Sequence, residues 1–272
     1  MDAVGVVCEF DPLHRGHEAL LRRAGASGRP VVCAMSGNFT QRGGPACAEK
    51  FVRAEMAVRC GADLVAELPT PWAMATAEKF ADGGVGLLSL CGVKTLCFGS
   101  ECGDIDALWT AAEVLLREDT HRAIRAEMDG GLSYAAARQG VLEREAGCGG
   151  LLAQPNNTLA VEYLKAIRRR GLAADAITVR REDGGHHGAA SASQIRALLA
   201  AGQAAGAFAL MPPAAVDILG REMQKGLAPA DPARLETAML ARLRLMSETD
   251  FAPYDGGGEG LYCRVYRAVQ AG

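Results

Sequence analysis

The chain opens with a buried strand that runs almost directly into a helix. Ala3-Val4-Gly5-Val6-Val7 is an apolar run of strand length, Pro12 punctuates the segment after it, and His14-Arg15-Gly16-His17 leads into Leu20, Leu21 and Ala24 at the spacing of an apolar helix face. A strand without polar alternation is covered on both faces, which requires a parallel sheet with helices on either side. In such sheets ligands bind beyond the carboxyl ends of the strands, where this His-x-Gly-His stands. Helix N-terminal amides and the helix dipole attract anions, Gly16 permits close backbone approach, and imidazoles donate hydrogen bonds to phosphate oxygens. The segment therefore reads as a polyphosphate site in which neither histidine has to act as a base.

The same alternation continues along the chain. Pro30 to Met35 is a second strand, and Ala46 to Cys60 reads as a helix with Cys47, Phe51, Ala54 and Val58 on its apolar face. Asp63 to Leu68 is a third strand, stopped by Pro69 and Pro71; Asp63 and Glu67 on it read as sheet-end caps rather than an acid/base pair. A helix through Phe80, Gly84 and Leu87 leads to a fourth strand at Val93 to Phe98. Asp104 to Arg144 is helical, Asn156 opens a helix with Leu159, Tyr163, Leu164 and Ile167 on its face, Ala176 to Val179 is a fifth strand, and Ser191 caps a further helix. Everything beyond Ala200 reads helical. The expected fold is α/β, a Rossmann-like (HUP-type) parallel sheet with helices on both faces over residues 1–200, followed by a helical extension over 201–272.

Composition narrows the function. With 272 residues and a net charge of −3, the chain has no global basic footprint, so a nucleic-acid partner needs a local patch. Arg42, Lys50, Arg53 and the run Arg168-Arg169-Arg170 are the cations available for one. Nine cysteines, an odd number, sit largely in apolar segments with no Cys-x-x-Cys pair, and they read as reduced thiols of a cytoplasmic protein. Beside His14 and His17 the other histidines are His121, His186 and His187, which complete no zinc ligand set. No apolar run reaches the roughly 18 residues of a membrane span, and no protein partner is expected.

Asp11-Pro12-Leu13-His14-Arg15-Gly16-His17 resembles the HxGH signature of the nucleotidyltransferase superfamily related to class I aminoacyl-tRNA synthetases. Ser36-Gly37-Asn38-Phe39-Thr40-Gln41-Arg42-Gly43, Gly61 to Pro69, Phe98-Gly99-Ser100-Glu101, Pro155 to Leu159 and Ala190 to Arg196 follow in an order similar to that of the tRNA(Met) cytidine acetate ligase family. The resemblance covers roughly residues 1–200. It implies an ATP-dependent ligase that forms acetyl-adenylate from acetate and acetylates N4 of the wobble cytidine of elongator tRNA(Met), with Mg2+ bridging the phosphates. Family members usually continue beyond the equivalent of Gly272 with a partly basic region, so the RNA-binding half of the activity is the half expected to be weakened here. The alternatives are a small-molecule nucleotidyltransferase and a non-catalytic nucleotide- or RNA-binding module.

The resemblance also distributes roles. ATP is expected against the first strand and its loop, Val7, Cys8, Glu9, Phe10, Asp11, Pro12, Leu13, His14, Arg15, Gly16, His17, Glu18, Ala19 and Leu20, with Gly5 allowing close approach and His14 and His17 on the phosphates. Gly99 at the end of the fourth strand is expected to let adenine or ribose lie against backbone, Asn156 to bond the nucleotide, and Arg181 with Glu182 to meet phosphate or ribose. Ser191 and Ser193, at a helix start, match the superfamily's second signature and are expected near the outer phosphates. Lys50 completes the catalytic set as a cation for the triphosphate or the RNA backbone. No residue is assigned as a metal ligand.

Overall fold

The computed structural model describes residues 2–181, 191–254 and 260–271. Its elements are β1 (Ala3–Cys8), α1 (Arg15–Gly25), β2 (Val31–Ser36), α2 (Lys50–Arg59), β3 (Leu64–Leu68), α3 (Thr70–Ala73), α4 (Ala77–Leu90), β4 (Val93–Ser100), α5 (Ile105–Leu116), α6 (Glu118–Asp129), α7 (Tyr134–Ala146), α8 (Pro155–Arg169) and β5 (Asp175–Arg180). They are followed by α9 (Ala192–Ala200), α10 (Ala204–Ala209), α11 (Pro213–Gln224), α12 (Pro232–Arg244), α13 (Glu248–Phe251) and α14 (Leu261–Ala271).

The five strands form one parallel sheet in the order β3-β2-β1-β4-β5. After β3 the chain returns past β1 to lay down β4 on its other side, so the strand order reverses between β1 and β4 and opens a crevice at their carboxyl ends. The pleat sends alternate residues to two cores. Ala3, Val7, Val32, Ala34, Leu96 and Phe98 face α4, α5, α7 and α8. Val4, Val6, Cys8, Cys33 and Met35 face α1, α2 and the later helices α9 to α11, through Leu21, Met56, Ile195 and Leu219. The compact unit thus runs from Met1 to Pro229 and takes in α9 to α11; Ala230–Gly272 is a second unit in which Phe251 packs on Tyr266.

Two expectations change here. The buried face of α2 is Arg53, Met56 and Ala57, whereas Phe51 and Val58 are 72% and 49% exposed. The helix starts only at Lys50, capped by the Glu49 carboxylate, and it is turned so that the fully buried Arg53 guanidinium reaches the carbonyls of Glu9, Ser36, Gly37 and Ala48. An arginine whose hydrogen bonds are met by backbone oxygens can occupy the interior. Gly5 is also small for a reason other than a ligand: a Cβ there would come within 2.8 Å of the Leu88 and Val93 side chains, so the residue lets α4 approach the sheet.

Candidate active site

The crevice at the β1/β4 reversal is a cleft of ≈ 190 Å3. Val7, Cys8, Glu9, Phe10, Asp11, His17 and Leu20 form its β1–α1 wall, Phe98, Gly99 and Arg181 stand at the ends of β4 and β5, Asn156, Leu159 and Tyr163 come from α8, and Ala192 and Arg196 come from α9. Asn156, Leu159 and Tyr163 are one helical face, spaced by three and four residues. Of the segment expected to surround a nucleotide, Pro12, Leu13, His14, Arg15, Gly16, Glu18 and Ala19 are not cleft-lining. Leu13 is buried in the core, and the Arg15 side chain donates to the Ala209 carbonyl.

The two histidines cap their own helix. His14 is the N-cap and its Nδ1 accepts from Gly16 N–H at 3.1 Å, while Nδ1 of His17, the third helical residue, accepts from His14 N–H at 3.4 Å. This is a capping box built from imidazoles. Because each Nδ1 is an acceptor, each Nε2 carries the proton, an assignment that follows from the hydrogen-bond pattern. The rings stack with centroids 3.6 Å apart, and Phe10 packs on His17 at 5.0 Å. Burial is the main cause that lowers both pKa values, that of His14 to about 4 and that of His17 well below the ordinary histidine value; the Arg181 charge adds to both, and the neighbouring ring adds to that of His17. Two neutral donors result, with His17 at the cleft and His14 behind it.

The expected free amides at the start of α1 are not there. Arg15 N–H donates to the Leu210 carbonyl at 3.1 Å, Gly16 N–H to the His14 ring, and His17 and Glu18 N–H to the His14 carbonyl. The α1 terminus therefore reaches the cleft through an imidazole Nε2–H and the helix dipole, not through open backbone amides. The turn before it is strained: Phe10 adopts φ +46° with its side chain almost fully buried, a left-handed conformation that costs a non-glycine residue about 1–2 kcal/mol and that the surrounding core must hold.

The charged groups of the cleft wall are mostly spent on each other and on backbone. Asp11 accepts from Cys47 N–H at 2.6 Å and pairs with Arg196 at 3.2 Å. Glu9 accepts from Gln41 N–H at 2.6 Å, which ties the polar loop after β2 to the cleft, and burial raises its pKa. Among the described residues no carboxylate pairs with Arg181, whose stem lies across Gly99, where a Cβ would come within 3.1 Å of it. A side chain at position 99 would require that arginine stem to give way by a few tenths of an ångström. Ser191 accepts from Gln194 N–H as the cap of α9, and its hydroxyl lies 3.2 Å from that of Ser193; Ala192 between them is the residue in the cleft wall. Glu182 lies outside the described residues, as do His186 and His187.

Lys50 is separated from this group. Its Nζ pairs with Glu67 at 2.6 Å beside the edge strand β3, and it does not line the cleft. Asp63 accepts from Val31 N–H at 2.7 Å at the start of β3, so it and Glu67 form no acid/base pair. The cation patch is likewise reduced: Arg53 is interior, Arg168 pairs with Glu113 and lies over Trp109, Arg169 pairs with Glu78, and Arg170 grips Asp82 through two bonds of 2.7 Å. The nine cysteines are all free thiols, four of them buried. No described group of three acidic, histidine or cysteine side chains is arranged to hold a metal ion, and no described helix is long and apolar enough to cross a membrane.

Residues that sequence reading left without a role are prominent in the cleft. Arg196 sits inside the second signature and its spacing from Ser191 was the available signal. Phe80 and Tyr163 carried only a core periodicity that does not distinguish a pocket wall from a core, and Phe98 and Leu159 otherwise stood out only as members of the blocks Phe98 to Glu101 and Pro155 to Leu159. Glu101 was legible only as part of a motif. Its carboxylate accepts from Asn156 N–H, Asn156 Nδ2 and Asn157 N–H at 3.2, 2.6 and 2.8 Å, and Asn157 Oδ1 accepts in return from Glu101 and Cys102 N–H.

A strand-to-helix HxGH capping box at the reversal point of a parallel sheet defines a nucleotidyl-transfer fold, and the HIGH Nucleotidyl Transferase family model matches residues 1–272; the chain belongs to that family. Within it the kin are tRNA(Met) cytidine acetate ligases. The protein of that name from Syntrophotalea carbinolica is 42% identical over 89% of this chain and 61% of its own length, and that from Acetivibrio thermocellus is 35% identical over 99% of this chain and 69% of its own. The crystal structure of Thermotoga maritima TmcAL bound with alpha-thio ATP matches with a TM-score of 0.90 at 31% identity, over 100% of this chain and 68% of that one. The chain thus spans about 61 to 69% of the length of these curated relatives.

Proposed function

We propose that the chain binds ATP in the β1/β4 cleft and carries out the adenylate-forming chemistry of a tRNA(Met) cytidine acetate ligase. The observation that carries this reading is the His17 imidazole in the first turn of α1, lining the cleft with Nδ1 engaged and Nε2–H left to donate, its burial favouring the neutral form. A neutral donor is suited to a phosphate whose charge grows during the reaction, because its hydrogen bond strengthens as that charge develops. In the first step an acetate oxygen attacks the α-phosphorus of ATP in line, and the bond to the bridging oxygen breaks, giving acetyl-adenylate and pyrophosphate. In the second, the N4 amine of the wobble cytidine of elongator tRNA(Met) attacks the acetyl carbonyl; AMP leaves and the amine gives up a proton.

His17 would donate to the departing pyrophosphate, with His14 stacked behind it as a positioning residue, and Arg181 would supply fixed positive charge at the end of β5. Glu9 and Asp11 already hold backbone N–H groups, and Asp11 also holds Arg196, so the described residues offer Mg2+ no ligand set of their own. The ion would arrive on the triphosphate. The similarity to proteins named for this activity supports the acetate and tRNA parts of the reading.

The test is pyrophosphate release from labelled ATP with a panel of carboxylates, with and without elongator tRNA(Met). Acetate-dependent release, and N4-acetylcytidine only when the tRNA is present, is the expected result. Transfer of the nucleotidyl group to a small acceptor with no carboxylate or tRNA requirement would overturn it in favour of a small-molecule nucleotidyltransferase.

A further inference from the structure

The Glu101–Asn156 contact fixes more than a helix end. The two ends of a carboxamide have nearly the same shape, and only their hydrogen-bond partners decide which way the group points. Here the partner is a carboxylate, which only accepts, and it lies 2.6 Å from Asn156 Nδ2 while also accepting from Asn156 N–H. A flipped amide would set Oδ1 against the Glu101 oxygen, acceptor against acceptor. Glu101 itself is held by Asn157, whose buried side chain accepts from Glu101 N–H at 2.9 Å and Cys102 N–H at 3.1 Å and whose own N–H donates to the carboxylate at 2.8 Å. Asn156 lines the cleft, and among the described residues its Oδ1 accepts no hydrogen bond. Leu159 and Tyr163 follow on the same helical face and give that wall an apolar surface on which a planar base can lie.

We propose that Asn156 reads the base of the nucleotide: locked by Glu101, its Oδ1 accepts from the 6-amino group of adenine and repels the 6-oxo group of hypoxanthine or guanine. Glu101 is then a positioning residue for selectivity and does not touch the nucleotide. This inference rests on the ATP reading above. A site that offers one fixed acceptor discriminates by leaving it unpaired, or opposed, when the wrong base enters.

The experiment is calorimetric binding of three triphosphates to the whole chain: ATP, inosine triphosphate, and the triphosphate of purine riboside, which has only hydrogen at position 6. For the unaltered protein we expect ATP to bind about 10- to 100-fold more tightly than inosine triphosphate, with the unsubstituted purine between them. In Glu101→Gln the ATP-to-inosine ratio falls to about threefold or less, because the glutamine can no longer exclude the flipped amide. Asn156→Ala, which keeps the Glu101–Asn157 clamp, shows the same collapse. ATP and inosine triphosphate binding equally to the unaltered protein would overturn the inference and leave the ATP reading standing. Equal weakening of all three ligands in Glu101→Gln, with the ratio preserved, would also overturn it, by reducing Glu101 to support of the fold. Failure of all three to bind the unaltered protein would overturn both readings.

Discussion

Helices α1 and α8 both begin beside the cleft, and their amino-terminal ends are closed in opposite ways. The first N–H groups of α1 go to neutral acceptors, the Leu210 and His14 carbonyls and the His14 ring. Those of α8 go to the Glu101 carboxylate. The positive end of the α8 dipole is therefore already matched by a charge from the protein, while that of α1 is passed to the cleft through a neutral imidazole that keeps a proton to donate. One sheet thus offers an anion two different receptions, and in the proposed complex the polyphosphate lies at α1 and the uncharged part of the nucleotide at α8.

The largest expected effect comes from removing the donor at the α1 end. His17→Ala should slow pyrophosphate release by about 10²- to 10³-fold, the usual cost of one donor lost from a developing anion, about 2.7–4 kcal/mol. The same change removes the acceptor for His14 N–H, worth about 1 kcal/mol of stability, so the variant should remain folded. Asn156→Ala at the α8 end should change which base is accepted and leave bound ATP able to release pyrophosphate within about tenfold of the normal rate. Equal losses of turnover at the two ends would erase the distinction between them.

Acid sharpens the contrast from the side of stability. Both rings of the α1 cap bind protons less readily in the folded chain than in the unfolded one. Between pH 6.5 and about 4 the unfolded chain takes up protons that folded His14 refuses, so stability present above pH 6.5 is lost as the pH falls through this window. The slope is at most about 1.4 kcal/mol per pH unit for each histidine. Urea unfolding of the unaltered protein and of a His14→Gln, His17→Gln double variant at pH 7.5, 6 and 5 isolates that contribution. Parallel profiles would mean that the rings are not held neutral.

What could be read from the chain follows from how strongly each residue's chemistry is tied to sequence spacing. The five strands and the HxGH were legible because strands and a helix start are local patterns, whereas the strand order that places the reversal between β1 and β4 is set by tertiary pairing. The face of α2 was not, because an apolar count has no place for Arg53 in the interior; its partners are carbonyls on segments 5 to 44 residues away. Gly5 misled for the same reason, since the Leu88 side chain that demands it belongs to α4. Nor could any local pattern reveal that Glu101 closes a helix beginning 54 residues later, or that the first amide of α1, that of Arg15, is taken by Leu210.

At the α8 end, Glu101→Ala removes the acceptor for two backbone N–H groups and one amide. It should cost about 1–2 kcal/mol in urea unfolding, the range for a lost cap whose orphaned donors water can partly reach. Binding of inorganic pyrophosphate, which needs only the α1 end, should be unchanged in this variant. A parallel loss of pyrophosphate affinity would show that the two ends are not separate sites.

The smallest effect is expected at Lys50, where sequence similarity placed a catalytic cation and the structure places an ion pair. Its Nζ lies 2.6 Å from the Glu67 carboxylate, and the side chains are 29% and 46% exposed. Exposed pairs of this kind contribute about 0.2–1 kcal/mol, less at higher salt. Lys50→Met should therefore lower stability by no more than that amount and change the affinity for ATP by less than about twofold, since the cleft wall does not include it. Paired measurements separate its two remaining uses. If ATP affinity drops tenfold or more, the ion pair opens when nucleotide binds and the ammonium swings to the phosphates, which would extend the anionic end of the site from α1 to α2. If ATP affinity holds while binding of tRNA weakens and its salt dependence becomes shallower, the charge belongs to the RNA surface, as expected of a cation facing a phosphate backbone.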